Sequence, residues 1–471
     1  MAENNKGEGI SPSRPLLKER VLQFGTGILL KGLPDYFIQL ANQKQAWGKI
    51  VMVKSTSSTS GKDPYPPYLL LEKGLKDGMM VENPVRMDAI SREINAQTQW
   101  QDLEKLAQSP DLEVLISNTT EAGLQYTEEK IGEGTPVSFP GKILSILQKR
   151  FEAGLPGWVI IPCELVTDNG EILKSLVLKL ARFNGFSTEL LQWIEKKNHF
   201  CNSLVDRIVS GKADERSRQN LASKLNDLPE EIIETEPYCL WAIECPEKVR
   251  NQLGWAGIHP NWILADDIGM FRERKLRILN GTHTFIVGLA FLSGKTTVLE
   301  TMQDTELSAF VKELALEEVA PATAVSPEIA QSFAKDVLDR FANPYINHLL
   351  INITLQYSMK MAMRNLASIA RYEALKGQVP EKMAKGFAAY LRFSMAKSQN
   401  EKGKYLGNWK GKIYPIQDEK ASVFFSHQQK KLPLSELLLL ILEDQALWGD
   451  FKFSEGFKSL VINYFLKEWN D

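Results

Sequence analysis

Short apolar runs alternate with segments of helical spacing over the first half of this chain, and helical spacing dominates the second half. Val21-Leu-Gln-Phe24 reads as a buried strand; Gly25-Thr26-Gly27 follows it, and then an apolar helix through Leu40. Lys49-Ile-Val-Met-Val53 is a second strand, running into the Ser/Thr stretch from Ser55 to Ser60. Leu112 to Ser117 and Gly157 to Ile161 are further strands, each ending in a polar loop. Such alternation predicts a parallel sheet wrapped by helices, with ligands outside the carboxyl ends of the strands. From about Phe271 the apolar positions predict helices over Val298 to Val319, Pro327 to Phe341, Tyr345 to Tyr372 and Pro433 to Leu447, with few β-like runs.

Composition narrows the class. A chain of 471 residues is too long for one ordinary core and predicts two domains. With 44% hydrophobic and 24% charged residues it reads as soluble and globular. A net charge of −2 gives no basic field for nucleic acid. The longest apolar run, Leu437 to Leu442, is far short of the ~20 residues of a membrane span. Residues 1–15 are polar, lack an apolar signal-peptide core and read as a mobile tail. Cys163, Cys201, Cys239 and Cys245 match no zinc spacing, and His199, His259, His283, His348 and His427 form no H-x-x-x-H pair. No catalytic metal is expected, and reduced thiols in a cytoplasmic protein fit best. No repeat or coiled-coil heptad supports a structural role, and oligomeric state is not readable.

The most informative stretch is Lys275-Leu-Arg-Ile-Leu-Asn280-Gly-Thr-His283. At ~100° per residue, Asn280 lies ~140° and His283 ~80° from Lys275 around a helix, so all three can face one cavity. Together they can move a proton on or off an alcohol oxygen while a cofactor handles the hydride. A lysine of ordinary pKa, ~10.4, is a poor base at neutral pH; burial and nearby positive charge bring lysines to ~7–8. Arg272, Arg274 and Arg277 supply positive charge close by in sequence. In isolation, a solvated lysine and a core histidine are the commoner reading of this spacing.

Lys-x4-Asn-x2-His resembles the signature of the mannitol dehydrogenase family, the polyol-specific long-chain dehydrogenases. The wider run Arg272 to Thr284 is similar to the branch of that family that acts on hexuronates. Leu22 to Gly27, Ser117 to Gly123, Pro162-Cys163-Glu164-Leu165, Asp206-Arg207-Ile208 and Glu236-Pro237-Tyr238 agree with it in order. The fold class implied is α/β. A Rossmann-type doubly wound dinucleotide-binding domain over residues 1–270 is followed by a mostly α-helical substrate domain over 271–471. The resemblance implies that Lys275 is the acid–base group, that Asn280 donates to the developing alkoxide, and that His283 orients substrate or lysine. Polyol enzymes of the family carry an Asp-Asn pair where this chain has Glu164-Leu165, so Asn280 needs another partner, for which Asn169 is a candidate.

Phe24, Gly25, Thr26 and Gly27 follow the first strand as a dinucleotide fingerprint would, although Leu30 stands where a third glycine is usual and Gly32 comes two residues later. Lys54 and Ser55 occupy the place of the acid that usually binds the adenosine ribose. NAD(H) is the implied cofactor, and the lysine leaves NADP open. Asn118 and Thr119 either line the path to the nicotinamide or cap a loop. A hexuronate, unlike a polyol, carries a carboxylate that Arg or Lys must read. Asn343-Pro344 opens a segment continuing to His348, Lys360 and Arg364; the last two, four apart, share a helix face and are the expected clamp. Asp206 is a candidate for substrate hydroxyls, its alternative being an ion pair with Arg207. A non-catalytic nucleotide sensor is the competing class.

Overall fold

A computed structural model describes residues 17–55, 59–132 and 134–469. The tail expected over residues 1–15 and the middle of the Ser55 to Ser60 run lie outside the described residues. The chain divides into two compact units: Met1–Leu70, Val85–Ile233 and Cys239–Asp266 form the first; Leu71–Pro84, Glu234–Tyr238 and Asp267–Asp471 the second.

The chain opens with β1 (Glu19–Phe24), α1 (Ile28–Gly32), α2 (Pro34–Gln45), β2 (Lys49–Lys54), β3 (Tyr68–Lys76), β4 (Met79–Met87), β5 (Ile90–Asn95) and α3 (Trp100–Ala107). Next come β6 (Val114–Ser117), α4 (Phe139–Glu152), β7 (Val159–Pro162), α5 (Asn169–Phe183), α6 (Thr188–Lys197) and β8 (His199–Phe200). After them run β9 (Asn202–Asp206), β10 (Val209–Lys212), α7 (Glu215–Ala222), β11 (Ile232–Thr235), β12 (Leu240–Glu244), α8 (Glu247–Leu253) and β13 (Trp262–Ala265).

Six strands form one parallel sheet in the order β5-β2-β1-β6-β7-β8. Successive side chains of a strand point to opposite faces, and here each face has its own core. Val21, Ile50, Met52, Val114, Ile116 and Ile161 pack with residues of α1, α2 and α8. Leu22, Phe24, Val51, Val53, Leu115 and Ile160 pack with residues of α3 to α6. The chain leaves β1 for β2 on one side and reaches β6 on the other. The direction of winding therefore reverses beside β1, and the carboxyl ends of β1 and β6 flank the switch point where such sheets bind ligands. A three-stranded sheet, β13-β12-β9, lies in the same unit; a further sheet has the strand order β10-β11-β3-β4.

The second unit is helical. It contains α9 (Gly269–Arg274), a π-helical segment (Lys275–Gly281), α10 (Thr282–Leu292), α11 (Val298–Gln303), α12 (Thr305–Glu313) and a second π segment (Leu314–Val319). Then follow α13 (Pro327–Phe341), α14 (Leu350–Ile353), α15 (Tyr357–Lys376), α16 (Glu381–Ser394), α17 (Ala421–Gln428), α18 (Leu434–Leu442), α19 (Gln445–Trp448) and α20 (Glu455–Glu468). All of α10 is buried, as its uniformly apolar sequence demands.

Three expected helices are interrupted, each for a local reason. Val298 to Val319 breaks at Asp304, whose carboxylate accepts from the backbone N–H groups of Glu306 and Leu307 and starts α12. Tyr345 to Tyr372 becomes helical only at Leu350 and breaks again at Gln356, which is left-handed at φ 53°. Pro433 to Leu447 breaks where Asp444 caps α19. This half also holds an antiparallel sheet that the pattern reading missed, β14 (Ser398–Gln399), β15 (Tyr405–Trp409) and β16 (Lys412–Pro415).

Candidate active site

The carboxyl ends of β1, β6 and β7 carry one set of candidate residues. Phe24 is buried against Phe139 in edge-to-face contact at 5.7 Å. Gly25 adopts φ +129°, and its N–H donates to Val53 O at 3.1 Å. A Cβ there would stand 2.9 Å from Leu30 Cδ1 and 3.0 Å from Asn118 O, so only glycine fits. Thr26 continues the turn. Gly27 is the N-cap residue of α1, and a Cβ on it would meet nothing within 4 Å: the space beside it is open. Leu30 is fully buried, and Gly32 takes up the packing role of a third glycine, since its Cβ would lie 2.7 Å from Val209 Cγ2. The turn thus combines a backbone that must be glycine with open space beside the helix start, which fits a pyrophosphate. Lys54 ends β2, with its Nζ donating to Thr59 Oγ1 at 2.8 Å.

Asn118 and Thr119 follow β6 and are fastened to β7. Asn118 Nδ2 donates to Cys163 O at 2.7 Å, and the Thr119 N–H donates to Glu164 Oε1 at 2.8 Å. The hydroxyls of Ser117 and Thr119 add bonds of 3.2 Å each to Glu164. Burial pushes the Glu164 carboxyl above its ordinary range, and these donors pull it partly back. Asn169 is wholly occupied: its Nδ2 donates to Glu164 O and Ser203 O, and its Oδ1 accepts from the N–H groups of Ser203 and Gly170. It has nothing left for Asn280, so that candidate partnership is corrected. Leu165 is exposed. Asp206 ends β9 opposite Leu240 and is buried. The guanidinium of Arg207 donates to Gly32 O at 2.8 Å and covers the Tyr36 ring.

The second set lies in the helical unit. The expected α-helical spacing from Lys275 to His283 is corrected: Lys275–Gly281 is π-helical. A π segment bonds each N–H to the carbonyl five residues back. Asn280 therefore stacks one turn along from Lys275, not ~140° away as an α-helix would place it. Arg277 fastens this turn to α15, donating to Met363 O at 2.7 Å and Arg364 O at 2.8 Å. Gly281 lets α15 come close; a Cβ there would meet Asn365 Oδ1 at 2.7 Å. The Arg364 guanidinium donates to Thr284 Oγ1 at 3.1 Å, and that hydroxyl donates to Asn280 O at 2.7 Å. Below the turn, the Tyr357 hydroxyl sits inside the backbone ladder of α10. It accepts from Gly288 N–H at 3.0 Å and donates to Thr284 O at 2.9 Å.

His283 begins α10 and is held by rings. Phe341 stacks on it at 4.0 Å, and His348 meets it edge-on at 5.0 Å. Its Nε2 is buried and finds no partner within the protein. Burial, then the charges of His348, Arg340, Arg364 and Lys360, drive its pKa far below the ordinary histidine value, so the ring is neutral. Arg340 is itself matched by Glu236 in a buried bidentate pair at 2.9 and 3.0 Å. Lys360 Nζ donates to Ile353 O at 3.1 Å, and burial pushes Arg364 down to about 10. The structure thus gathers His283, Lys360 and Arg364 with His348, which the sequence reading named in its segment without giving it a role. Among the described residues no group of three or more His, Cys, Asp or Glu could hold a metal, and no helix is long and apolar enough to cross a membrane.

A parallel doubly wound unit with a glycine turn at its switch point, and a helical unit with a lysine–asparagine–histidine turn, define a dehydrogenase acting on CH–OH groups. Comparison with known proteins agrees. The mannitol dehydrogenase Rossmann domain matches residues 19–257, and the mannitol dehydrogenase C-terminal domain matches residues 267–462. The chain belongs to the mannitol dehydrogenase family. It is 37% identical to the altronate oxidoreductase of Halalkalibacterium halodurans, over 92% of this chain and 87% of that one. It is 33% identical to the altronate oxidoreductase of an Enterobacter species, over 92% of this chain and 90% of that one. Among solved structures it resembles Pseudomonas fluorescens mannitol 2-dehydrogenase in ternary complex with NAD and D-mannitol, with TM-score 0.62, 22% identity and coverage of 96% and 92%. It also resembles a D-sorbitol dehydrogenase in substrate-free form, with TM-score 0.70, 20% identity and coverage of 95% of each chain.

Proposed function

We propose that this chain is an NAD(H)-dependent, metal-independent oxidoreductase that interconverts D-tagaturonate and D-altronate, a step of hexuronate catabolism in the cytoplasm. The carrying observation is the group Lys360, Arg364 and His348 around His283. Two fixed cations stand there, and neither is matched by a carboxylate in an ion pair among the described residues. A neutral polyol needs no such charge, whereas a hexuronate carboxylate does. The names of the relatives support the same substrate class.

In this reading residues 1–270 hold the nucleotide and 271–471 most of the substrate. Phe24, Gly25, Thr26 and Gly27 receive the pyrophosphate; Lys54 lies toward the adenosine ribose; Asn118 and Thr119 line the nicotinamide end. Bound NAD(H) supplies or accepts the hydride. Lys275 takes the hydroxyl proton in altronate oxidation and returns it in tagaturonate reduction. Asn280, whose side chain has no hydrogen-bond partner among the described residues, donates to the oxygen as charge develops there. His283, held neutral and oriented by Phe341, presents Nε2 to the substrate oxygen and is not the proton acceptor. Lys360 and Arg364 hold the carboxylate, and Asp206 reads hydroxyls.

The test is NADH consumption with D-tagaturonate beside D-fructuronate and D-fructose, with NADPH as cofactor control. Oxidation of NADH by tagaturonate in preference to the others is the expected result. Preference for fructuronate or fructose moves the substrate within the family. No turnover with any, despite NADH binding, returns the sensor reading.

A further inference from the structure

His348 lies between α13 and α14, and that loop is anchored: His348 O accepts from the Val298 N–H at 3.0 Å, and Asn343 Nδ2 donates to Lys73 O at 3.2 Å. The imidazole is half-buried, edge-on to His283, and makes no side-chain hydrogen bond among the described residues. The groups whose charge reaches it or the neighbouring His283 come from three elements. His283 faces it from α10. Lys360, with Arg364 one turn behind, approaches from α15. Arg340 of α13, whose charge reaches His283, is spent on Glu236. Asp418 is the one acid whose charge reaches Lys360, and its carboxylate already accepts from the N–H groups of Ser358 and Lys420.

The wall therefore holds two permanent cations and one imidazole able to become a third. Burial and Lys360 keep that imidazole below its ordinary pKa while the site is empty. A carboxylate docking beside it reverses the balance, because an opposite charge within ~4–6 Å favours the protonated form. His283 responds less in this way: it is more deeply buried and stacked on Phe341. We infer that His348 is a specificity-determining residue of the hexuronate site: edge-on to His283, it takes up one proton as the substrate carboxylate docks against Lys360 and Arg364, so that acids but not neutral polyols bind with proton uptake. This rests on the hexuronate reading above. It gives the acid a third charged contact without a third permanent cation in the empty site.

By linkage, binding that takes up a proton weakens as pH rises, by about tenfold per pH unit between the free and bound pKa values. The experiment is calorimetric titration of D-altronate into the full enzyme saturated with NADH, a pair that cannot react. It is run near neutral pH in buffers of different ionisation heat, with D-mannitol as the neutral control. Wild type should show close to one proton taken up with altronate and none with mannitol. His348→Asn should abolish the uptake and weaken altronate at least about tenfold. His348→Lys, a permanent cation, should restore affinity without uptake. Altronate binding with no buffer dependence in wild type, or uptake that survives in His348→Asn, overturns the inference and leaves the substrate assignment standing. If altronate neither binds nor is oxidised, the hexuronate reading itself fails.

Discussion

The two candidate sites are built on opposite principles. At the strand ends of the first unit, polar groups are consumed in holding the loops: Asn169 uses both ends of its amide, and Glu164 gathers three donors. What that site offers a ligand is backbone shape, a left-handed glycine and open space beside Gly27. Around the π segment of the second unit, polar atoms are kept unspent. His283 Nε2, Thr282 Oγ1, Arg364 Nε, Asn365 Oδ1 and Ser368 Oγ are all buried without a partner in the protein. Burying such groups unpaired costs free energy. A nucleotide common to many enzymes can be held by shape. On the proposed reading, a particular sugar acid is recognised by groups left ready for it.

Breaking the second site should therefore cost turnover, and breaking the first should cost cofactor affinity. The largest effect is expected for Lys275→Ala: kcat falls about 10²–10⁴-fold while NADH affinity, read by fluorescence titration, hardly moves. Retained turnover removes Lys275 as the acid–base group. Asn280→Ala should lower kcat about 10²–10³-fold with little change in KM; a rise confined to KM would make it a binding group. Next comes Arg364→Ala or Lys360→Ala, which should raise KM for tagaturonate about 10–100-fold, the worth of a charged hydrogen bond, and leave fructose unchanged. Equal losses on both substrates would dissolve the clamp. Gly25→Ala should reverse the pattern, weakening NADH binding about tenfold or more, since a strained φ alone costs ~1–3 kcal/mol, with kcat at saturation largely kept.

The smallest effect concerns pH. Burial holds His283 neutral in the fold, and His348 is lowered as well. The unfolded chain protonates histidine near pH ~6.5. Below that value the unfolded state binds more protons, so stability should fall as pH drops through and beneath ~6.5. Melting temperature against pH should show this slope, and His283→Gln should flatten it; an unchanged slope would mean that other groups carry it.

Much of the first unit is readable because its signals are local. The short apolar runs Val21 to Phe24 and Leu112 to Ser117 translate directly into strands that feed two cores on two faces. Gly25 announces itself as a glycine directly after a strand, although Val53 and Asn118, far along the chain, also crowd it. The second unit defeats the same reading where distance along the chain ceases to matter. A 3.6-residue period cannot announce a π segment, because Lys275–Gly281 is fixed by α15 through Arg277 and Asn365. His348 stands in a loop and gains meaning only beside His283. The β15–β16 hairpin did leave a trace: Lys410-Gly411, at φ 46° and 80°, is the two-residue turn that such hairpins favour.

Arg277 carries a wider consequence. By holding the carbonyls of Met363 and Arg364, it welds the turn bearing Lys275 and Asn280 to the helix bearing Lys360 and Arg364. On the proposed reading, the groups that select the substrate and those that turn it over thus share one rigid part. Grafting this helix from a polyol-acting relative would carry a penalty in rate along with the new taste. On that reading, a lineage moving between acids and alcohols would have to change both faces of the joint together.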